Sequence, residues 1–71
     1  MTVRVADPMK LVRDFLGLPL SQRRFLAERY GVTKSDPMEP DFERDKRTII
    51  AVSEQGKQIE FALLVEEAKT R

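Results

Sequence analysis

The chain has 71 residues, 41% of them hydrophobic, which is enough for one compact domain but not for two separate hydrophobic cores. With 13 Lys and Arg against 12 Asp and Glu, the net charge of +1 excludes a strong overall attraction to nucleic acid or anionic lipid. Cysteine and histidine are both missing, which excludes a disulfide framework and an ordinary zinc site, so we expect no enzyme, no catalytic residue and no cofactor.

The amino-terminal residues 1–6 contain one brief strand-like alternation, and the sequence offers no second strand to pair with it. We therefore expect a flexible arm there, followed by a single helical domain over residues 7–71. Neither a signal-peptide core nor a cysteine points to an oxidising compartment, so we expect a cytoplasmic protein. The longest apolar run, residues 61–65, is about a quarter of the roughly 20 residues that a membrane span requires, so we expect no membrane partner.

The first helix is predicted to begin at Asp7 and Pro8, because a carboxylate accepts a free amide of the first turn and proline fits the first helical position. Apolar residues at spacings of three and four should form its buried stripe. These residues are Met9, Leu11, Val12, Phe15 and Leu16. Gly17 is expected to end the helix in a left-handed conformation.

The second helix is predicted from Pro19 to Tyr30, since the residue that precedes a proline disfavours helical geometry. Its contribution to the core is expected to come from a subset of Leu20, Phe25, Leu26, Ala27 and Tyr30. Gly31 and Val32 are typical of a Schellman ending, in which Val32 folds back near Ala27. Residues 33–40 then form a loop, because two prolines three positions apart prevent a regular helix.

Two further helices follow the loop. Asp41 is expected to cap the third, which Gly56 ends. Its predicted inner residues are Phe42, Ile49, Ile50 and Val52, and its predicted outer residues are Glu43, Arg44, Lys46 and Arg47. The last helix, from about residue 57 to 69, carries an apolar arc wider than one stripe, so we predict that it is the most buried. The fold class is therefore all-α, a small bundle of four to six helices.

Charge is unevenly distributed along the middle of the chain. We interpret a basic block as one partner-binding face, formed by Arg23, Arg24, Arg29 and Lys34. An acidic block forms a second face, with Asp36, Glu39, Asp41, Glu43 and Asp45. Each charge taken singly is explained by solvation of a helix surface. Together, two faces of opposite sign suit a head-to-tail contact with a protein partner, either a homologous domain or another copy of the chain in a homo-oligomer.

Other functions fit the same residues less well. The stretch around Ala27 and Gly31 also resembles the first helix and turn of a DNA-binding helix-turn-helix regulator. Prolines and acidic residues interrupt the place of its recognition helix, so nucleic acid is the less favoured partner. The acidic block lacks the glycine turn and terminal glutamate of an EF-hand, so we expect no metal site. A further alternative is an accessory or inhibitor subunit that binds an unrelated protein through an apolar groove, with Tyr30 or the exposed side of the last helix as the contact.

A family resemblance lies in and around the second helix. The residues Leu18, Pro19, Arg23, Leu26, Ala27, Tyr30, Gly31 and Val32 resemble the pattern L-P-x-x-x-R-x-x-[IL]-A-x-x-[LY]-G-[LV] of the bacterial effector-associated domains. A looser similarity to their A-K-E-R-G-K-L stretch involves Ala51, Glu54, Gly56, Lys57, Ile59 and Leu63. The resemblance covers about residues 18–65. It implies a death-fold-like bundle, a homotypic adaptor that recruits a protease, nucleotidase or NTPase effector in a bacterial conflict or signalling system.

Overall fold

The computed structural model describes residues 8–70, which form four helices joined by three connections. The helices are α1 (Pro8–Leu16), α2 (Leu20–Arg29), α3 (Asp41–Glu54) and α4 (Gln58–Lys69). A small all-helical bundle is thus confirmed for this part of the chain. The predicted arm, residues 1–6, and the proposed capping role of Asp7 lie outside the described residues.

Prolines rather than side-chain caps precede α2 and α3. Pro19 and Pro40 occupy the N-cap positions with extended backbone angles, and neither helix start has a hydrogen bond from a capping side chain. The prediction that Asp41 caps α3 is therefore wrong, because Asp41 is the first residue inside the helix. Its carboxylate still lies in the first turn, where the helix dipole favours negative charge.

Glycine ends both α2 and α3. The N–H of Val32 donates to the Ala27 carbonyl at 2.8 Å and the N–H of Gly31 donates to Glu28 at 3.0 Å, with Gly31 at φ 80°. This confirms the predicted Schellman ending. Gly56, at φ 68°, ends α3 in the same way.

The predicted left-handed conformation of Gly17 is wrong. Among residues 8–70, only Gly31 and Gly56 have a positive φ. The first helix instead ends in hydrogen bonds from Gly17 to the Arg13 carbonyl at 3.0 Å and from Leu18 to the Phe15 carbonyl at 3.1 Å. This ending carries Leu18 directly into the core, where only 5% of it is exposed.

Three aromatic rings form the centre of the core. The Phe15 and Phe61 rings lie 5.1 Å apart, and Tyr30 meets Phe61 edge to face at 5.6 Å, arrangements that add about 0.5–1.5 kcal/mol per pair beyond area burial. The other buried apolar residues are Leu18, Leu26, Ala27, Val32, Val52 and Val65. All four helices and two of the connections therefore contribute to one core.

Several residues that were predicted to be buried are exposed, and several that were predicted to be exposed are buried. On α3, Phe42 and Ile50 are each 56% exposed, whereas Arg44 and Asp45 are buried. The physical reason is that α3 turns a polar edge towards α2, where basic side chains neutralise it. On α2, Phe25 is 59% exposed, because the helix turns Leu26 and Ala27 towards the core instead.

The last helix is less buried than predicted. Phe61 and Val65 enter the core, but Ile59 and Leu63 are 54% and 67% exposed. Its wide apolar arc therefore has an inner and an outer part. Among the described residues, none of the helices is both long and apolar enough to cross a membrane.

Candidate functional site

The predicted basic and acidic faces meet each other inside the molecule. The Arg23 guanidinium lies 2.5 Å from the Asp45 carboxylate, and the Nε–H of Arg23 donates to the Leu18 carbonyl at 3.1 Å. Only 2% of the Asp45 side chain and 21% of the Arg23 side chain are exposed. The prediction that Asp45 lies on an exposed acidic face is therefore wrong, because this carboxylate is enclosed between α2 and α3.

Asp41 is the centre of a second group of charges in the same interface. Its carboxylate lies 2.6 Å from Arg44, 3.4 Å from Arg24 and 3.7 Å from Lys34. Burial raises the pKa of Asp41, but the hydrogen bond from Arg24 and the charges of Lys34, Arg24 and Arg44 outweigh burial and hold the pKa below its usual value. Two of the predicted basic residues thus bind a predicted acidic one.

The loop 33–40 is attached to α3 through Glu39. Its carboxylate accepts a hydrogen bond from the Ser35 hydroxyl at 2.6 Å and another from Arg47 at 2.6 Å, and both lower the pKa of Glu39. Arg47 also donates to the Thr33 carbonyl. Sequence reasoning predicted that Arg47 lies on the outer side of α3. In the structure Arg47 instead binds the loop through these hydrogen bonds.

The remaining predicted residues lie apart from this interface. Arg29 points towards α4, 4.0 Å from Glu60. Asp36 accepts the backbone N–H of Met38 at 2.8 Å within the loop, and Glu43 lies 3.4 Å from Lys46 on the surface. Of the nine residues predicted for docking, the structure joins six in charge contacts that connect α3 with α2 or with the loop: Arg23, Arg24, Lys34, Glu39, Asp41 and Asp45.

An apolar groove lies between α2 and α4. Sequence reasoning proposed an apolar groove at Tyr30 or the last helix for an accessory subunit, but it did not place Phe25 in the wall of one. The groove has a volume of about 220 Å³, and its lining comes from Gln22, Phe25, Leu26 and Arg29 of α2 and from Leu64, Glu67 and Ala68 of α4. Leu63 is outside this lining, but it is 67% exposed and lies beside Glu67 on the surface of α4, four positions earlier. Helical spacing could have indicated this groove. Phe25 and Arg29, four positions apart, share one face of α2, whereas Leu26 and Tyr30 share its buried face.

A polar contact joins α2 and α4 beside Arg29, one of the residues that line the groove. The Tyr30 hydroxyl donates to Glu60 at 2.8 Å, and Arg29 lies 4.0 Å from the same carboxylate. Burial, followed by the bond to Glu60, raises the pKa of Tyr30 to about 12. This contact holds the end of α2 against the beginning of α4.

A second, smaller cavity lies between α1, α3 and α4. Its volume is about 130 Å³ and its lining is largely apolar, with Pro8, Leu11, Val12, Ile49, Val52, Ser53, Gln58 and Phe61. Both cavities are smaller than the roughly 300–1,000 Å³ of pockets that bind small-molecule ligands. Within residues 8–70, no cluster of three or more acidic side chains is arranged to hold a metal ion.

Comparisons of the chain with protein-family models, with curated proteins and with solved structures find no match. Membership of the effector-associated domains therefore stays a prediction from residues 18–65. Because a helical bundle hosts many unrelated functions, the function has to be argued from the surfaces described above.

Proposed function

We propose that the chain is a non-enzymatic protein-interaction module and that it docks through the groove between α2 and α4. The observation that carries the proposal is Phe25, an aromatic side chain that is 59% exposed at the edge of an apolar groove. Aromatic residues beside preformed apolar pockets are the usual energetic centres of protein interfaces. Leu63, 67% exposed on the neighbouring helix, enlarges the apolar surface.

A protein partner fits this groove better than a small molecule or DNA. At about 220 Å³ the groove accepts a side chain or two of a partner but not a ligand of ordinary size. For DNA, the basic residues of α2 would have to leave the carboxylates that they now contact, and the first turn of α3 carries Asp41 and Glu43. The helix-turn-helix regulator is thus the weaker proposal.

The finer form of the proposal is a death-fold-like homotypic adaptor that recruits effectors in a bacterial conflict or signalling system. It is supported by the resemblance of residues 18–65 to effector-associated domains. Most of the charges first assigned to docking are engaged within the chain, so the apolar groove supplies the contact and the exposed charges Arg29 and Glu60 supply selectivity.

Site-specific photo-crosslinking in the cells that make the protein tests the proposal. A photoreactive phenylalanine analogue at position 25 is expected to yield a discrete protein adduct. The same analogue at position 42 is the matched control, because Phe42 is 56% exposed on α3 and does not line the groove. Adducts that are equally frequent at both positions, or missing at both, would contradict the proposal.

The identity of the adduct then separates the forms of the proposal. A homologous helical domain or a second copy of the chain supports the adaptor. An unrelated protein supports an accessory or inhibitor subunit that uses the same groove.

A further inference from the structure

We infer that the groove between α2 and α4 binds a second copy of this chain, through the same groove on that copy, in a two-fold symmetric dimer. The inference rests on the proposed docking role of the groove and names its occupant. It differs from the head-to-tail contact predicted from the charge blocks, because both copies use one and the same surface.

The direction of the two helices makes the surface suitable for self-pairing. Tyr30 and Arg29, at the end of α2, both contact Glu60 in the first turn of α4. The earlier residue Phe25 shares the groove with Ala68, near the end of α4, so the two helices run in opposite directions. A two-fold axis that runs along the groove places α2 of each copy over α4 of the other. Residues at the same height along the groove then face each other across the interface.

The aromatic side chain and the groove complement each other under this symmetry. Phe25 is 59% exposed, and Leu64 and Ala68 line the groove at its level on the α4 side. The two-fold operation brings Phe25 of each copy onto Leu64 and Ala68 of the other. Each copy therefore supplies both the inserted side chain and the site that receives it, and the contact is made twice.

The charges of the two walls are also complementary. The α2 wall carries Arg29, whereas Glu60 and Glu67 lie along the α4 side. Because the symmetry places each α2 over an α4, it sets Arg29 of each copy against Glu60 of the other, so one basic–acidic contact is made twice at this end of the groove. A groove with walls of one sign would repel a second copy. Arg29 and Glu60 are 48% and 47% exposed, so they can exchange their contact within the chain for one across the interface.

Sedimentation equilibrium of the full chain over a range of concentrations is the first test. We expect the parent to dimerise and Phe25→Ala to raise the dissociation constant at least tenfold. Phe42→Ala is the matched control and should leave the dissociation constant unchanged, because the Phe42 side chain is 56% exposed but is not part of the groove lining. A parent that stays monomeric up to millimolar concentration, or equal effects of the two substitutions, overturns the inference.

Charge reversal tests the symmetry itself. Arg29→Glu places two acids opposite each other across the interface, and Glu60→Arg places two bases there, so each variant alone should be monomeric where the parent is dimeric. In an equimolar mixture both cross-chain pairs are restored, and we expect a heterodimer by native mass spectrometry. A mixture that stays monomeric shows that the pair does not cross between chains and overturns the inference. Matching far-UV circular dichroism of both variants confirms that they are folded.

The two proposals fail separately. Crosslinking of position 25 to an unrelated protein, together with a monomeric chain, overturns the dimer and keeps the interaction module. Absence of both crosslinking and self-association overturns the two proposals together.

Discussion

Asp45 places a carboxylate at the centre of the interface between α2 and α3, where only 2% of its side chain is exposed. A buried charge is retained only when a partner compensates for lost hydration, and Arg23 at 2.5 Å is that partner. The pair therefore contributes little net free energy relative to two apolar residues, but its disruption is costly.

We predict that Asp45→Ala lowers the free energy of unfolding by about 2 kcal/mol. The value lies below the roughly 3–5 kcal/mol of fully buried pairs because Arg23, left without its partner, is 21% exposed and regains some hydration. Denaturation in urea, followed by far-UV circular dichroism, measures the loss. Glu43→Ala on the same helix is the control, since Glu43 pairs with Lys46 at the surface and its removal should cost less than about 0.5 kcal/mol.

A double-mutant cycle with Arg23→Ala isolates the pair. If the effects of Arg23→Ala and Asp45→Ala simply add, the two side chains do not stabilise each other and the interpretation fails.

At the scale of the elements, helix endings depend on two glycines in the left-handed region. Gly31 has φ 80°, and the hydrogen bonds from Gly31 and Val32 satisfy two carbonyls at the end of α2. This ending directs Val32 into the core and begins the loop that Glu39 attaches to α3. Gly17, in contrast, has no positive φ.

Gly31→Ala is expected to destabilise the chain by about 1 kcal/mol, because a left-handed backbone costs an L-residue about 1–2 kcal/mol. A Cβ atom at this position meets nothing within 4 Å, so backbone strain is the whole cause. Thermal and urea unfolding measure the change. Gly17→Ala serves as the comparison and should not destabilise, since its Cβ would make only an ordinary contact at 3.4 Å with the Arg13 carbonyl. Equal losses at the two positions would refute the conformational explanation.

At the scale of the whole molecule, the charges that predict two docking faces are largely used to join α2, α3 and the loop between them. Asp41 contacts three cations and Glu39 contacts Arg47. The surface that we propose for docking lies on the other side of α2, along the groove with α4. Stability against acid and the proposed docking therefore depend on different surfaces.

We predict that the free energy of unfolding decreases progressively as pH falls below about 4.5, the ordinary pKa of Glu39. The pKa values of Asp41 and Glu39 are lowered in the folded chain from ordinary values of 3.8 and 4.5. Carboxyls of this kind stabilise the fold above their unfolded pKa and lose that contribution as pH falls through the folded pKa. Urea unfolding at a series of pH values measures the effect.

Asp41→Asn should be less stable than the parent at neutral pH, and the difference should shrink in acid. Glu28→Gln, an exposed residue of α2, is the control and should follow the parent at every pH. A parent whose stability does not change in acid would contradict the assignment of Asp41 and Glu39 to the fold.

The local features of this protein were determined by the sequence itself: the four helices, the loop 33–40 and the Schellman ending at Gly31. Each depends on residues within a few positions of one another, so spacing and backbone preference suffice to predict it. Only the tertiary structure decided which face of each helix is buried, as at Asp45 and Phe25, and that the basic and acidic blocks meet. These outcomes depend on how helices far apart in the sequence rotate and pack against one another. The groove beside Phe25 exists for the same reason, since its two walls are about forty residues apart in the chain and only the packed bundle brings them together.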